Sequence, residues 1–234
     1  MPDEGRRAKV SRQAAGATWC GEGVVVMSTQ EPGFGRGEIS IRTRGRLPHW
    51  EADAATYFVT FRLADSLPAG VLDAYQFERE DIVRTAEALR RDLTLHELNR
   101  LDELYGDRVE SFLDSGAGSC HLADARVARV VEENLRHFDG MRYHLIAWCI
   151  MPNHVHVVVR PLNGHRLASI VHSWKSYTAN KANTVLGRSA AFWQREYYDR
   201  LIRDQAELDK AVRYLLENPE KAGLEDWRWV GMGK

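Results

Sequence analysis

The segment Met151-Pro152-Asn153-His154-Val155-His156-Val157-Val158-Val159 carries two imidazoles two residues apart. Val155 to Val159 is apolar and β-branched, which predicts a buried strand. Residues two apart on a strand face the same side, so both rings project together. Neutral imidazoles are common ligands of divalent metals, and two side by side supply part of a metal site. The same pair can also be two half-buried histidines with satisfied hydrogen bonds. The spacing matches neither a zinc finger nor a His-Glu-x-x-His helix. What else converges on the pair decides its meaning.

Two histidines need a further ligand and leave positions open for a substrate. If that substrate is a phosphodiester, the metal polarises a non-bridging oxygen while a nucleophile attacks phosphorus. The chain has eight tyrosines. A helical tyrosine with an oxygen ligand four residues on presents both groups from one face. Tyr214 is followed at that offset by Asn218. Tyr75, Tyr105, Tyr177, Tyr197 and Tyr198 are followed by Arg79, Val109, Lys181, Leu201 and Ile202, and Tyr57 and Tyr143 fall on predicted strands. An amide oxygen beside two imidazoles suits Mg²⁺ or Mn²⁺ better than a thiolate-loving metal. Taken singly, Tyr214 also reads as a core aromatic and Asn218-Pro219 as a helix stop.

The elements that must position these residues follow from the pattern. Residues 1–46 are rich in Gly, Arg, Ser and Thr without a sustained period, which predicts a disordered leader. Met27 inside it is an alternative translation start. An ordered domain over 47–231 is expected to begin at Leu47-Pro48-His49-Trp50, with Tyr57 to Leu63 as its first strand. Val71 to Leu93, Thr94 to Leu113 and Ala123 to Phe138 have helical character, with Thr94 and Glu97 forming a capping box. Tyr143 to Ile150 and His154 to Arg160 predict a hairpin. Leu167 to Leu186 predicts a long helix, Trp193 to Ile202 an extended segment, and Asp204 the cap of a last helix, Ala206 to Glu217. The layout is α+β, an antiparallel sheet with helices against it.

The net charge of -1 hides segregation. Asp65 to Asp139 is dense in acidic residues, whereas Arg160 to Arg203 is basic and suits a polyanion. Cys20, Cys120 and Cys149 form neither a disulfide framework nor a zinc knuckle. No apolar run approaches the roughly 18 residues of a membrane span, and no signal-peptide pattern opens the chain. A soluble, cytoplasmic protein is expected.

Four blocks complete the reading: the Met151 to His156 segment; Trp174-Lys175-Ser176-Tyr177; Trp193-Gln194-Arg195-Glu196-Tyr197-Tyr198-Asp199-Arg200; and Tyr214-Leu215-Leu216-Glu217-Asn218-Pro219-Glu220-Lys221-Ala222-Gly223-Leu224. In order and spacing they resemble the REP-associated tyrosine transposases, among the single-tyrosine HUH nucleases. Weaker similarity reaches back to Leu47-Pro48-His49 and Tyr57 to Leu63. The resemblance implies a ferredoxin-like sheet of five antiparallel strands, with the histidine pair on a central strand and the tyrosine on a facing helix. It implies Mg²⁺- or Mn²⁺-dependent cleavage of single-stranded DNA at repetitive extragenic palindromes, hairpins with a flanking tetranucleotide. Tyr214 is then the catalytic nucleophile, left linked to the 5′ phosphate, and His154, His156 and Asn218 the metal ligands.

Lys175, Lys181, Arg195, Arg200 and Arg203 are the expected backbone contacts. Trp174, with Trp193 and Trp229, is a candidate for stacking on unpaired bases, each stack worth about 1–3 kcal/mol; core packing is the competing role. The leader has no obvious counterpart in the family, and the short stretch after Trp229 leaves no room for the longer tail of some relatives. Monomer and homodimer both fit one tyrosine per chain. Two other functions fit the same residues: a catalytically silent hairpin-binding protein, and a hydrolase that uses water at the histidine site.

Overall fold

A computed structural model describes residues 40–44, 47–51, 55–89, 91, 94–105 and 109–233. The rest of the expected leader, Met27 included, lies outside the described residues. Ser40–Arg44 (β1) falls within that leader, yet it pairs antiparallel with Leu47–Glu51 (β2), Ser40 standing opposite Glu51. Backbone pairing between the two strands orders these residues without an apolar period to announce them.

Five strands form the main sheet: Thr56–Arg62 (β3), Tyr143–Ile150 (β4), His154–Pro161 (β5), Tyr198–Ile202 (β6) and Val230–Met232 (β7). Their order is β6-β3-β5-β4-β7, and every pairing is antiparallel. The expected α+β architecture is present, and β5 is the central strand. Because β5 is covered on both faces, it reads as a nearly unbroken apolar run rather than an alternating one.

The helices are Ala69–Ala88 (α1), Leu95–Tyr105 (α2), Ser111–Asp114 (α3), Ala125–His137 (α4), Leu167–Leu186 (α5) and Gln205–Lys221 (α6). The capping box of α2 forms as expected: Glu97 N donates to Thr94 Oγ1, and Thr94 N donates to Glu97 Oε2. Asp204 caps α6 by accepting from Glu207 N at 2.8 Å.

Two cores lie on opposite faces of the sheet. On one face Tyr57, Val59 and Phe61 of β3 and Val155, Val157 and Val159 of β5 pack with α4 and α5. On the other, Phe58, Val158, Ala147 and Cys149 pack with Ala211 and Leu215 of α6. A register shift between Leu145 and Ala147 inserts an extra residue in β4. Leu145 and Trp148 therefore share the α4/α5 face although they are three positions apart. Strand parity thus assigns His154 and His156, with Val158, to the α6 face.

The last helix runs past the expected end at Glu217 and carries Pro219 within it. Proline at this depth removes only an amide donor near the C-terminus, where the turn is held by Ala222 N donating to Asn218 O at 3.0 Å. Tyr214 and Asn218 consequently stay one unbroken turn apart. Beyond α6, β7 joins the sheet, and Ile150 N donates to Trp229 O at 2.8 Å. No helix among the described residues is long and apolar enough to cross a membrane.

Candidate active site

His154 and His156 are fully buried, and their Nε2 atoms stand 2.9 Å apart. Their Nδ1 atoms are engaged behind them. His154 Nδ1 lies 2.7 Å from Asn153 Oδ1. The Asn153 amide is fixed from its other end, where Nδ2 donates to Leu113 O and Ala117 O at 3.0 Å each. With its oxygen so aimed, Asn153 accepts the Nδ1 proton and leaves the Nε2 lone pair of His154 facing the site. His156 Nδ1 lies 2.8 Å from Thr60 Oγ1, a hydroxyl that can donate or accept as the ring requires. Such second-layer partners fix ring orientation in metal-binding histidines.

Burial, then the charges of His156 and Arg62, holds the His154 imidazole well below its ordinary pKa. Burial alone pushes His156 down to about 3. Both rings are therefore neutral near pH 7, the form that can coordinate a metal.

Asn218 is the third candidate donor. It is 1% exposed, and its Oδ1 is buried with no hydrogen-bond partner. The Asn218 side chain also hydrogen-bonds the Asp114 carboxyl, which burial otherwise raises above its usual pKa. Since a carboxylate accepts, the amide nitrogen is the group turned to Asp114, leaving the oxygen free. An orphaned buried carbonyl oxygen is costly unless something binds it. Two imidazole nitrogens and this oxygen fit a divalent ion of the Mg²⁺ or Mn²⁺ kind. Asp114 Oδ1, 4.0 Å from His154 Nε2, adds a carboxylate at the rim.

Tyr214 lies against the same histidines. Its ring meets His156 edge-on with centroids 5.4 Å apart and touches Phe58 at 6.0 Å. The hydroxyl donates to Glu110 Oε2 at 3.2 Å. The structure thus brings together His154, His156, Asn218 and Tyr214. It adds Thr60, Glu110, Asp114 and Asn153, which sequence reasoning did not assign. Thr60 was within reach of it, because β3 pairs with β5 and places Thr60 opposite His156. Nothing in the sequence around Glu110 or Asp114 signals their position.

The expected DNA contacts disperse. Trp174 is 1% exposed; its Nε1 donates to Tyr143 Oη at 2.9 Å, and the two rings pack edge to face. That corrects its expected stacking role, since a ring locked in the core has no face for a base. Trp193 and Trp229 are buried as well. Lys175 is turned inward, its Nζ donating to Arg195 O at 2.7 Å, and burial followed by the charge of Arg62 lowers its pKa to about 8. Lys175 and Arg195 line a cleft of about 920 Å³ between α5 and residues 192–197, on the sheet face away from the histidines. Lys181 is exposed on α5 beside the Tyr177 ring. Arg200 stands opposite Phe58 in the β3–β6 register, which gives it the histidine face near the sheet edge. Arg203 is tied to Glu207 at the start of α6, its Nε donating at 2.9 Å.

The chain is similar to known transposases. Residues 122–218 match the family described as Transposase IS200 like, a stretch containing both histidines, Tyr214 and Asn218. A Haemophilus influenzae Rd protein provisionally named a REP-associated tyrosine transposase is 26% identical over 152 residues, covering 59% of this chain and 81% of that protein. The resemblance drawn from the sequence is thereby borne out. Among solved structures, a REP-associated tyrosine transposase bound to a REP hairpin matches with a TM-score of 0.45 at 14% identity, covering 80% of this chain and 82% of that one. A Deinococcus radiodurans R1 protein provisionally described as a transposase matches with a TM-score of 0.30 at 12% identity, covering 76% and 98%.

Proposed function

We propose that this chain, a relative of the IS200-like transposases, is a divalent-metal-dependent endonuclease and strand transferase acting on single-stranded DNA at REP-type hairpins. The observation that carries this reading is the orphaned Asn218 oxygen, one helical turn from Tyr214, on the sheet face toward which two neutral imidazoles converge. His154, His156 and Asn218 would hold Mg²⁺ or Mn²⁺. The bound ion would act as a Lewis acid, neutralising charge on the phosphate oxygens.

The protein's own residues do the rest. A phenol with an ordinary pKa of about 10 is a poor nucleophile near neutrality. Glu110, already accepting the Tyr214 hydroxyl, is placed to take its proton as the phenolic oxygen bonds to phosphorus. The bond from phosphorus to the 3′ oxygen breaks, and that oxygen takes a proton from solvent. Asn153 and Thr60 keep the imidazole lone pairs aimed through the cycle. The product is a 5′-phosphotyrosine ester, which retains the linkage energy, so a 3′ hydroxyl can reverse the reaction and join strands without a nucleotide cofactor.

A covalent-trapping assay tests the reading. Purified protein, Mn²⁺ and a labelled single-stranded REP hairpin are resolved on a denaturing gel. The expected result is a protein-linked 5′ end that requires metal and disappears in Tyr214→Phe. A hairpin that binds without ever becoming linked would favour the silent binding protein. Cleavage that survives Tyr214→Phe would favour the water-using hydrolase.

A further inference from the structure

Arg62 ends β3 and is 4% exposed. Its Nε is buried without a hydrogen-bond partner, and it forms no ion pair among the described residues. In the antiparallel register Arg62 stands opposite His154, as Thr60 stands opposite His156. Residues opposite one another in such a pair project to the same face, and the Thr60–His156 hydrogen bond shows this for the neighbouring pair. Arg62 is therefore on the face of the histidine pair.

Its electrostatic neighbours are poorly suited to it. The guanidinium acts on neutral His154 and on the Lys175 amine, disfavouring positive charge on both. Asp114, a carboxyl 4.0 Å from His154, takes a hydrogen bond from Asn218 instead. A buried guanidinium that lacks a counterion is destabilising, and its planar fork is built for bidentate contact with carboxylate or phosphate. Along the strands, Tyr214 packs at the His156 and Phe58 end, whereas Arg62 sits at the His154 end.

We propose that Arg62 is a catalytic residue that clamps the phosphate being cleaved, entering from the side of the histidine pair opposite Tyr214. The inference rests on the tyrosine-nuclease reading and deepens it. An in-line displacement needs nucleophile and leaving oxygen on opposite sides of phosphorus. The guanidinium is then next to the leaving 3′ oxygen, where charge develops as the bond breaks.

Three measurements on wild type, Arg62→Gln and Arg62→Lys test it. In single-turnover trapping with Mn²⁺, Arg62→Gln should form the adduct about 10²–10³-fold more slowly, and Arg62→Lys should recover much of that loss. In hairpin binding, Arg62→Gln should lower the salt slope by about 1. In Mn²⁺ titration of the free protein, followed by electron paramagnetic resonance, Arg62→Gln should bind as tightly as wild type or tighter, because a positive charge beside the ligands has gone. Adduct formation within threefold of wild type overturns the proposal. So does weakened Mn²⁺ binding, or equal damage in Arg62→Lys with an unchanged salt slope, since either assigns Arg62 to the scaffold. If wild type forms no adduct, the nuclease reading fails by itself; an unchanged salt slope in Arg62→Gln then removes the phosphate contact too.

Discussion

At the scale of single residues, the candidate site includes groups set behind the two imidazoles. Thr60 is fully buried and meets His156 through one contact, Oγ1 to Nδ1 at 2.8 Å. Thr60→Val keeps the shape of the side chain and removes that contact, so the imidazole loses the partner that fixes its rotation. Outer partners of this kind are worth about 10–100-fold in metal affinity. Mn²⁺ titration of Thr60→Val should show a loss in that range with an unchanged circular dichroism spectrum. Affinity equal to wild type would mean that His156 needs no orienting hydroxyl or does not bind metal. Asn153 does the same for His154 and is anchored from a different element, through the carbonyls of Leu113 and Ala117.

At the scale of elements, α5 is fastened to the segment leading into β6 by an amine that is mostly buried. Lys175 Nζ donates to Arg195 O at 2.7 Å and to Glu196 O at 3.5 Å, and its pKa falls from 10.5 to about 8, through burial first and Arg62 second. Between those values the unfolded chain holds the proton and the folded chain does not. Stability therefore rises with pH across that window, and the cost of the charged amine is felt in full below about 8. The urea midpoint of wild type should climb relative to Lys175→Met from pH 8 to 10.5; parallel midpoints would show that the amine is not desolvated. The same helix shows what a sequence pattern carries and what it leaves open. Its bounds, Leu167 and Leu186, match expectation, because apolar period and the following Gly187 mark them. Val171, Trp174, Thr178 and Ala182 lie at helical spacing and are all buried, a stripe that could have assigned Trp174 to the core. The histidine pair, Tyr214 and Asn218 were legible because strand parity and a four-residue helical offset fix direction locally. Glu110 and Asp114 were not, since their approach to Tyr214 and His154 depends on how distant segments pack.

At the scale of the whole molecule, the sheet separates the main core from the candidate site. One face is filled by α4 and α5 and carries most of the large buried side chains; the other, under α6, carries the candidate donors. Those donors come from β5 and α6, with Thr60 of β3 and the Glu110–Asp114 stretch beside them. An unfolded chain does not hold them together, so an ion bound there favours the native state almost exclusively. At a free Mn²⁺ concentration about a hundredfold above its Kd, linkage predicts about 2.7 kcal/mol of added stability. For a chain of this size that corresponds to roughly 5–10 °C in Tm. Differential scanning fluorimetry of protein stripped with EDTA and then loaded with Mn²⁺ should show this rise. His156→Ala, which deletes one nitrogen donor but leaves the opposite core untouched, should show almost none. An equal rise in His156→Ala would place the stabilising ion elsewhere on the molecule. No rise in wild type with either Mn²⁺ or Mg²⁺ would remove the metal from this site, leaving the Asn218 oxygen without the partner its burial requires.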